Sequence, residues 1–330
     1  MSLSDGKQVR YFIILLVFLS FILSIEGIQH YYAENELGWA GQALGWVESG
    51  EKGRTRWVGI FDGPGVFCVV YTIALPFVLL LIKEKLGIFS KIVGIGLGGV
   101  FFPAIFFNGS RGGFLTTLAI GGMVFGMDYI KKYRIKLILP LSAILIVLML
   151  APGRYTQLSD SHKSSANRVD MWAEGVEMVT QNPVFGIGKG RFLSYTSKLI
   201  AHNSAIEIMG ETGAVGLFAW IGLIYFSLAN LYYFILQVPE EERGVETNGK
   251  ILAKGLFIAI VGYLISAMFV SLEYETFYML LGLCTIFGRQ VKQRLKINPT
   301  HIRNIILITL TWLIVIKIFT VLFQPGDFSL

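Results

Sequence analysis

Nine apolar runs, near residues 11–28, 64–82, 89–107, 114–130, 137–151, 213–237, 251–272, 275–288 and 304–323, constrain this chain more than any other feature. A helix needs roughly 20 residues to cross a hydrocarbon core of about 30 Å, so seven of the runs are long enough or nearly so, while 137–151 and 275–288 are short. Inside hydrocarbon every backbone N–H and C=O must be satisfied within the protein, which leaves helices or a closed barrel. Strand-like alternation is scarce here, so the expected fold is all-α. The chain reads as a single transmembrane domain over residues 1–330, a polytopic helical bundle of about nine transmembrane helices.

The basic residues set the expected orientation, because Lys and Arg in short loops stay on the cytoplasmic side. Placing the N-terminus inside collects Lys7, Arg10, Lys83, Lys85, Lys91, Lys131, Lys132, Arg134, Lys136, Arg243, Lys250, Lys254, Arg289, Lys292, Arg294, Lys296 and Arg303, 17 of the 28 basic residues, on one face. The net charge of +6 is thus a topology signal spread over short turns, and nucleic acid is not an expected partner. No small-residue cleavage site follows the first run, so it reads as a retained helix. Cys68 and Cys284 fall within spans and read as packing residues.

This orientation leaves three extracytoplasmic segments, at 29–63, 108–113 and 152–212, the last a large loop expected to contain short helices and the chemistry. Gly94 with Gly98, and Gly122 with Gly126, have the small-residue spacing of close helix packing. Pro76, Pro103 and Pro140 fall inside spans and should kink them.

Candidate site residues lie on the outward side. Arg111, in Asn108-Gly109-Ser110-Arg111-Gly112-Gly113, sits at a junction of two spans and reads either as a ligand-binding cation or as an anchor reaching lipid headgroups. Asn167 suits a helix N-cap, with Val169, Trp172, Val176 and Val179 on one face of a short surface helix. Arg168 in its first turn, with the free N–H groups there, could hold a phosphate; the alternative is an Arg bound to Asp170 or to lipid phosphate. Gly186-Ile187-Gly188-Lys189-Gly190-Arg191 lacks the Gly-Lys-Ser/Thr ending and preceding strand of a P-loop and reads as a tight turn. His202 with Asn203 precedes Glu207 and Glu211. If the approach to the sixth run is helical, 203, 207 and 211 share a stripe, and His202 is either a general base or a capping imidazole. No Asp-x-Asp pair appears, so neither a metal nor another cofactor is expected.

In their order these pieces resemble the O-antigen ligase and Wzy-type polymerase superfamily of bacterial envelope enzymes. The likeness runs from Arg56-Trp57-Val58-Gly59-Ile60-Phe61 through Ser110-Arg111-Gly112-Gly113, Asn167-Arg168 with Trp172, and Pro183-Val184-Phe185-Gly186-Ile187-Gly188 to His202-Asn203 with Glu207, Glu211 and Gly213, over about residues 54–235. The resemblance implies a metal-independent, inverting glycosyltransferase of GT-C-like fold in the bacterial plasma membrane. Its donor would be a glycan on undecaprenyl diphosphate at the outer face, and its acceptor lipid A core, a protein or another surface polymer. Arg111 and Arg168 would hold the diphosphate, His202 would act as base, and Arg56 would line the approach of the lipid head. Trp172, Arg191, Asn203, Glu207 and Glu211 would contact substrate. A polymerase shares this fold, and a transporter or binder of an anionic lipid-linked substrate is the reading from another class. The chain departs from the family pattern in showing Asp62-Gly63-Pro64-Gly65 where Asn-Pro-Asn is usual, and in having one span before Arg56 where relatives have several. The latter fits a compact member or a truncated copy.

Overall fold

The computed structural model describes residues 6–33, 55, 61, 63–84, 86–133, 158–196, 200–236, 249–271, 275–289 and 297–323. Among these there is no strand. The helices are α1 (Gly6–Tyr32), α2 (Pro64–Lys83), α3 (Ile88–Asn108), α4 (Arg111–Tyr133), α5 (Leu158–Gln181), α6 (Phe192–Tyr195), α7 (Ser204–Leu236), α8 (Gly249–Ala267), α9 (Glu275–Arg289) and α10 (Pro299–Phe323). Six of them, α1, α2, α3, α7, α8 and α10, are long and apolar enough to cross a membrane, and each falls on an expected run. The chain is a multi-pass membrane protein by this measure. α4 covers the run at 114–130, and α9 is short at 15 residues. The run at 137–151, Pro140 and most of the segment 29–63 lie outside the described residues.

The chain divides into two compact units. The first draws on residues 1–148, 227–266 and 274–295. Its centre is α2 and α8, whose most apolar stretches are 78% buried against 28% for α1 and α3. A helix apolar on all sides belongs at the centre of a bundle, and α2 has that character: Phe67, Cys68, Tyr71, Leu75, Val78 and Leu80 are all buried. Glycines allow the close approaches. A Cβ on Gly255 of α8 would lie 2.4 Å from the Phe77 ring, and one on Gly94 of α3 would lie 2.7 Å from Ile82. Gly122 and Gly126, expected to pack against a neighbour, face open space among the described residues. Spacing alone does not say which side of a helix meets a partner.

Polar ties reinforce this unit. Thr116 and Ser266 hydroxyls are 2.9 Å apart, Asn230 Nδ2 donates to the Cys284 carbonyl, and Lys254 Nζ lies 2.6 Å from Glu84 Oε1. Both cysteines are free and buried, as packing residues should be.

The second unit draws on residues 149–226, 267–273 and 296–330. Its core joins Met178 of α5, Phe192 of α6, Ala201, Ile206, Met209 and Leu217 of the α7 region, and Ile316 of α10. Trp172, Trp220 and Trp312 pack around this cluster, and Trp172 stands 5.4 Å from the Phe319 ring.

Candidate functional site

The second unit carries most of the residues singled out by sequence, and it assembles them around a break in α7. Helical geometry fails at Gly213, whose φ of 66° and ψ of −163° stand inside the 33-residue helix. Breaking a helix exposes carbonyls on one side and N–H groups on the other, and these need partners. The segment 183–188 supplies both. Ile187 N and Gly188 N donate to the carbonyls of Gly210 and Glu211 at 3.1 and 2.9 Å, while Ala214 N and Val215 N donate to the carbonyls of Pro183 and Val184 at 2.9 and 3.2 Å.

Two glycines make this contact possible. A Cβ on Gly186, at φ 65°, would lie 2.5 Å from the Gly210 carbonyl oxygen, and a Cβ on Gly213 would lie 2.5 Å from the Val184 carbonyl oxygen. Both the left-handed backbone and the closeness exclude a side chain. The Gly-rich stretch is therefore a tight turn, as expected, and its particular task is to cap a broken helix.

α5 forms one wall. It begins at Leu158, so Asn167 is an interior residue and not the N-cap that the sequence suggested; the helix had already been propagated through the preceding polar residues. Arg168 consequently stands about three turns into the helix, and the anion-binding argument from a helix N-terminus does not apply to it. Three of the four residues of the expected face, Trp172, Val176 and Val179, pack on the core, and Gly175 lets Ile206 approach to 2.5 Å of its Cβ position.

Arg168 itself is half-buried, and nothing among the described residues forms an ion pair with it. Asp170, two residues on, is wrongly placed, since positions i and i+2 do not face each other on a helix. Burial pulls the guanidinium pKa down from its ordinary value, the direction that removal of water gives a cation.

His202 sits in a turn fixed from both sides. Its own φ is 52°, a left-handed conformation that His tolerates better than most residues. Before it, the Ala201 carbonyl accepts from Trp172 Nε1 at 2.9 Å and the Ala201 N–H donates to Glu207 Oε1 at 3.0 Å. After it, fully buried Asn203 caps α7, its Oδ1 accepting from Ala205 N and Ile206 N at 3.0 and 3.3 Å. Glu207 also accepts from the Ser271 hydroxyl, and the Ser204 hydroxyl donates to the Val270 carbonyl at 3.3 Å.

One helical turn further on, Glu211 holds the glycine turn. Its Oε1 accepts from Phe192 N at 3.1 Å and its Oε2 lies 3.1 Å from Lys189 Nζ. Asn203, Glu207 and Glu211 thus share a stripe, as read from sequence, and each engages one side-chain oxygen in holding backbone. Arg191 lies at the exposed end of the same turn.

Arg111 belongs to the first unit. It is exposed and opens α4 directly after the left-handed Gly109 that ends α3, and Ser110 caps the new helix by accepting from Gly113 N at 3.1 Å. Gly113 permits contact with Cys68, whose sulfur is 2.2 Å from the position of an added Cβ. Arg56 lies outside the described residues. No cluster of metal-ligating side chains occurs among the described residues.

Sequence reasoning missed Ser271. It lies within what reads as a continuous apolar run to residue 272, but α8 ends at Ala267, and the following residues turn back to brace Glu207 and Ser204. The one available signal was a hydroxyl at the end of an apolar run.

The fold and this braced, charged turn define a polytopic membrane protein with a polar site built at a helix break. Residues 98–221, over a third of the chain, match the family model described as Wzy_C: O-Antigen ligase. That stretch includes every candidate residue except Arg56, and it supports the O-antigen ligase family, one of ligase- and polymerase-type enzymes. No curated protein matches the chain.

Proposed function

We propose that this protein is a glycosyltransferase of the O-antigen ligase type, of GT-C-like architecture. It moves a glycan from undecaprenyl diphosphate to an acceptor at the outer face of a bacterial plasma membrane, its N-terminus being cytoplasmic. The observation that carries the reading is Arg168: a desolvated guanidinium without a counter-ion among the described residues, on the wall of a pre-organised polar turn, inside the stretch that matches the ligase family. An unpaired buried cation is costly, so its natural partner is an anion brought by substrate.

In the proposed reaction, the acceptor hydroxyl oxygen attacks the anomeric carbon of the donor sugar. The bond from that carbon to the diphosphate oxygen breaks, its electron pair leaves with the diphosphate, and configuration inverts. His202 takes the hydroxyl proton, and the left-handed turn between Ala201 and Asn203 sets the direction of its ring. Arg168 neutralises charge growing on the diphosphate, a task suited to the planar guanidinium fork, one that does not call for a metal and one that the family resemblance assigns to Arg111 as well. Asn203, Glu207, Glu211 and Trp172 act as positioning residues for the His202 turn, and Arg191 and Arg56 line the approach of the lipid head. The acceptor is lipid A core, a protein or a surface polymer; in a polymerase it would be another lipid-linked repeat unit.

The test is transfer of a labelled glycan from undecaprenyl diphosphate in proteoliposomes with excess chelator. Wild-type protein should form a new glycosidic product. His202→Ala should lose about 10²–10⁴-fold in rate while still binding the donor, as expected for a missing proton acceptor. Donor binding without product from wild type, across several acceptors, would favour a carrier or binder of lipid-linked glycan.

A further inference from the structure

The turn that caps the α7 break carries an apolar tip that nothing among the described residues covers. Val184 is 51% exposed and Phe185 73%. Beside them Val215, whose N–H donates to the Val184 carbonyl, is also exposed. Val215 begins a stripe along α7, continued by exposed Ala219 and Leu223 at four-residue spacing. Such a stripe on a spanning helix faces acyl chains. Val184 and Phe185 prolong it beyond the helix break.

Helix length gives the depth of that break. The portion of α7 after Gly213 runs from residue 214 to Leu236. At 1.5 Å per residue it extends about 34 Å, enough by itself to cross a hydrocarbon core of about 30 Å. Gly213 therefore falls at one edge of the core, and the first part of α7 projects past it. The capping turn is ordered along the same axis. Its apolar end pairs with residues 214 and 215 on the membrane side of the break, while Lys189 and Phe192 are tied to Glu211 on the far side. Exposed Arg191 sits next to that far end and forms no ion pair among the described residues. An apolar tip below and cations above is the polarity of a segment lying in a lipid interface.

We infer that Val184 and Phe185 are inserted into the acyl region of the adjacent leaflet, with Lys189 and Arg191 at the level of the lipid phosphates. The capping turn is then a monolayer anchor that holds the His202 site at a fixed depth. The inference rests on α7 spanning the membrane and not on the transfer reaction.

The test uses the full-length protein in vesicles of phosphatidylethanolamine and phosphatidylglycerol, with Phe185→Cys and Val184→Cys carrying an environment-sensitive fluorophore. Cys68 and Cys284 are buried, so unmodified protein serves as the labelling blank. Glu177→Cys, on an exposed flank of α5, is the comparison site. The expected result is blue-shifted emission at 184 and 185, loss of most intensity with lipids nitroxide-labelled near the top of the acyl chain, and little quenching by aqueous iodide. Glu177→Cys should show the larger iodide quenching. Iodide quenching at 184 and 185 equal to that at 177 overturns the inference. So does a blue shift that nitroxide lipids leave untouched, which would mean that protein, such as a second copy of this chain, covers the tip. Both variants are at exposed positions, and a monodisperse elution profile matching wild type verifies their fold.

Discussion

Lys254 in the first unit and Arg168 in the second are both cations withdrawn from water, and the protein treats them in opposite ways. Lys254 has Glu84 at 2.6 Å, so the cost of withdrawing its charge is offset within the protein. Arg168 has no such partner among the described residues, and burial pulls its pKa down. The presence of a counter-ion separates a structural charge from a candidate site charge more sharply than burial or residue type does. A charge that the fold has already neutralised has nothing left to offer a ligand. One left unneutralised within the family-matched stretch does.

Arg168→Met should reduce glycan transfer by about 10²–10³-fold, the usual effect of removing one fixed donor to a developing charge. The same change should raise thermal stability slightly, by roughly 0.5–1 kcal/mol, because it removes an unpaired charge from a half-buried place. A fall in stability with transfer preserved would make Arg168 structural.

At Lys254 the signs should reverse. Lys254→Met leaves Glu84 without its partner and should cost on the order of 2–3 kcal/mol, between the values for exposed and fully buried pairs. Adding Glu84→Leu should recover most of that loss, measured by denaturation in detergent. Transfer per folded molecule should stay at the wild-type level.

Gly213→Ala tests whether the site depends on the helix break. It combines a left-handed backbone with a Cβ 2.5 Å from a carbonyl oxygen, and should destabilise the second unit by about 1–3 kcal/mol. Hydrogen exchange should speed up at Ile187, Gly188, Ala214 and Val215 before it does in α2. Smallest is Lys189→Ala. Its ion pair with Glu211 is largely exposed on the lysine side, so stability should change by less than about 1 kcal/mol.

Much of the membrane architecture was legible because hydrocarbon imposes a single rule, continuous apolar helix, and that rule can be read one segment at a time. Six of the expected runs meet it in the structure. The site was legible in its residue types and less so in their tasks. That Gly186 and Gly213 serve one contact is invisible to spacing, because they lie in segments that meet only in three dimensions. Asn167 misled because a good capping residue does not start a helix that has already begun at Leu158. Glu207 and Glu211 were identified by their position on one helical stripe, but only the fold shows that their oxygens hold the Ala201 and Phe192 backbones. Ser271 was hidden by an apolar run that outlasts its helix.

The clamp on α7 also limits how the segment can change in length. Residues 183, 184, 187 and 188 each pair with a particular backbone group at 214, 215, 210 and 211. Surface loops ordinarily absorb insertions and deletions. One residue added or removed between Pro183 and Gly188 would put at least two of these four bonds out of register. This stretch therefore tolerates exchange of Val184 and Phe185 for other apolar side chains but not a change in the number of residues, which makes loop length, together with the glycine at 186, the feature a working homologue must retain.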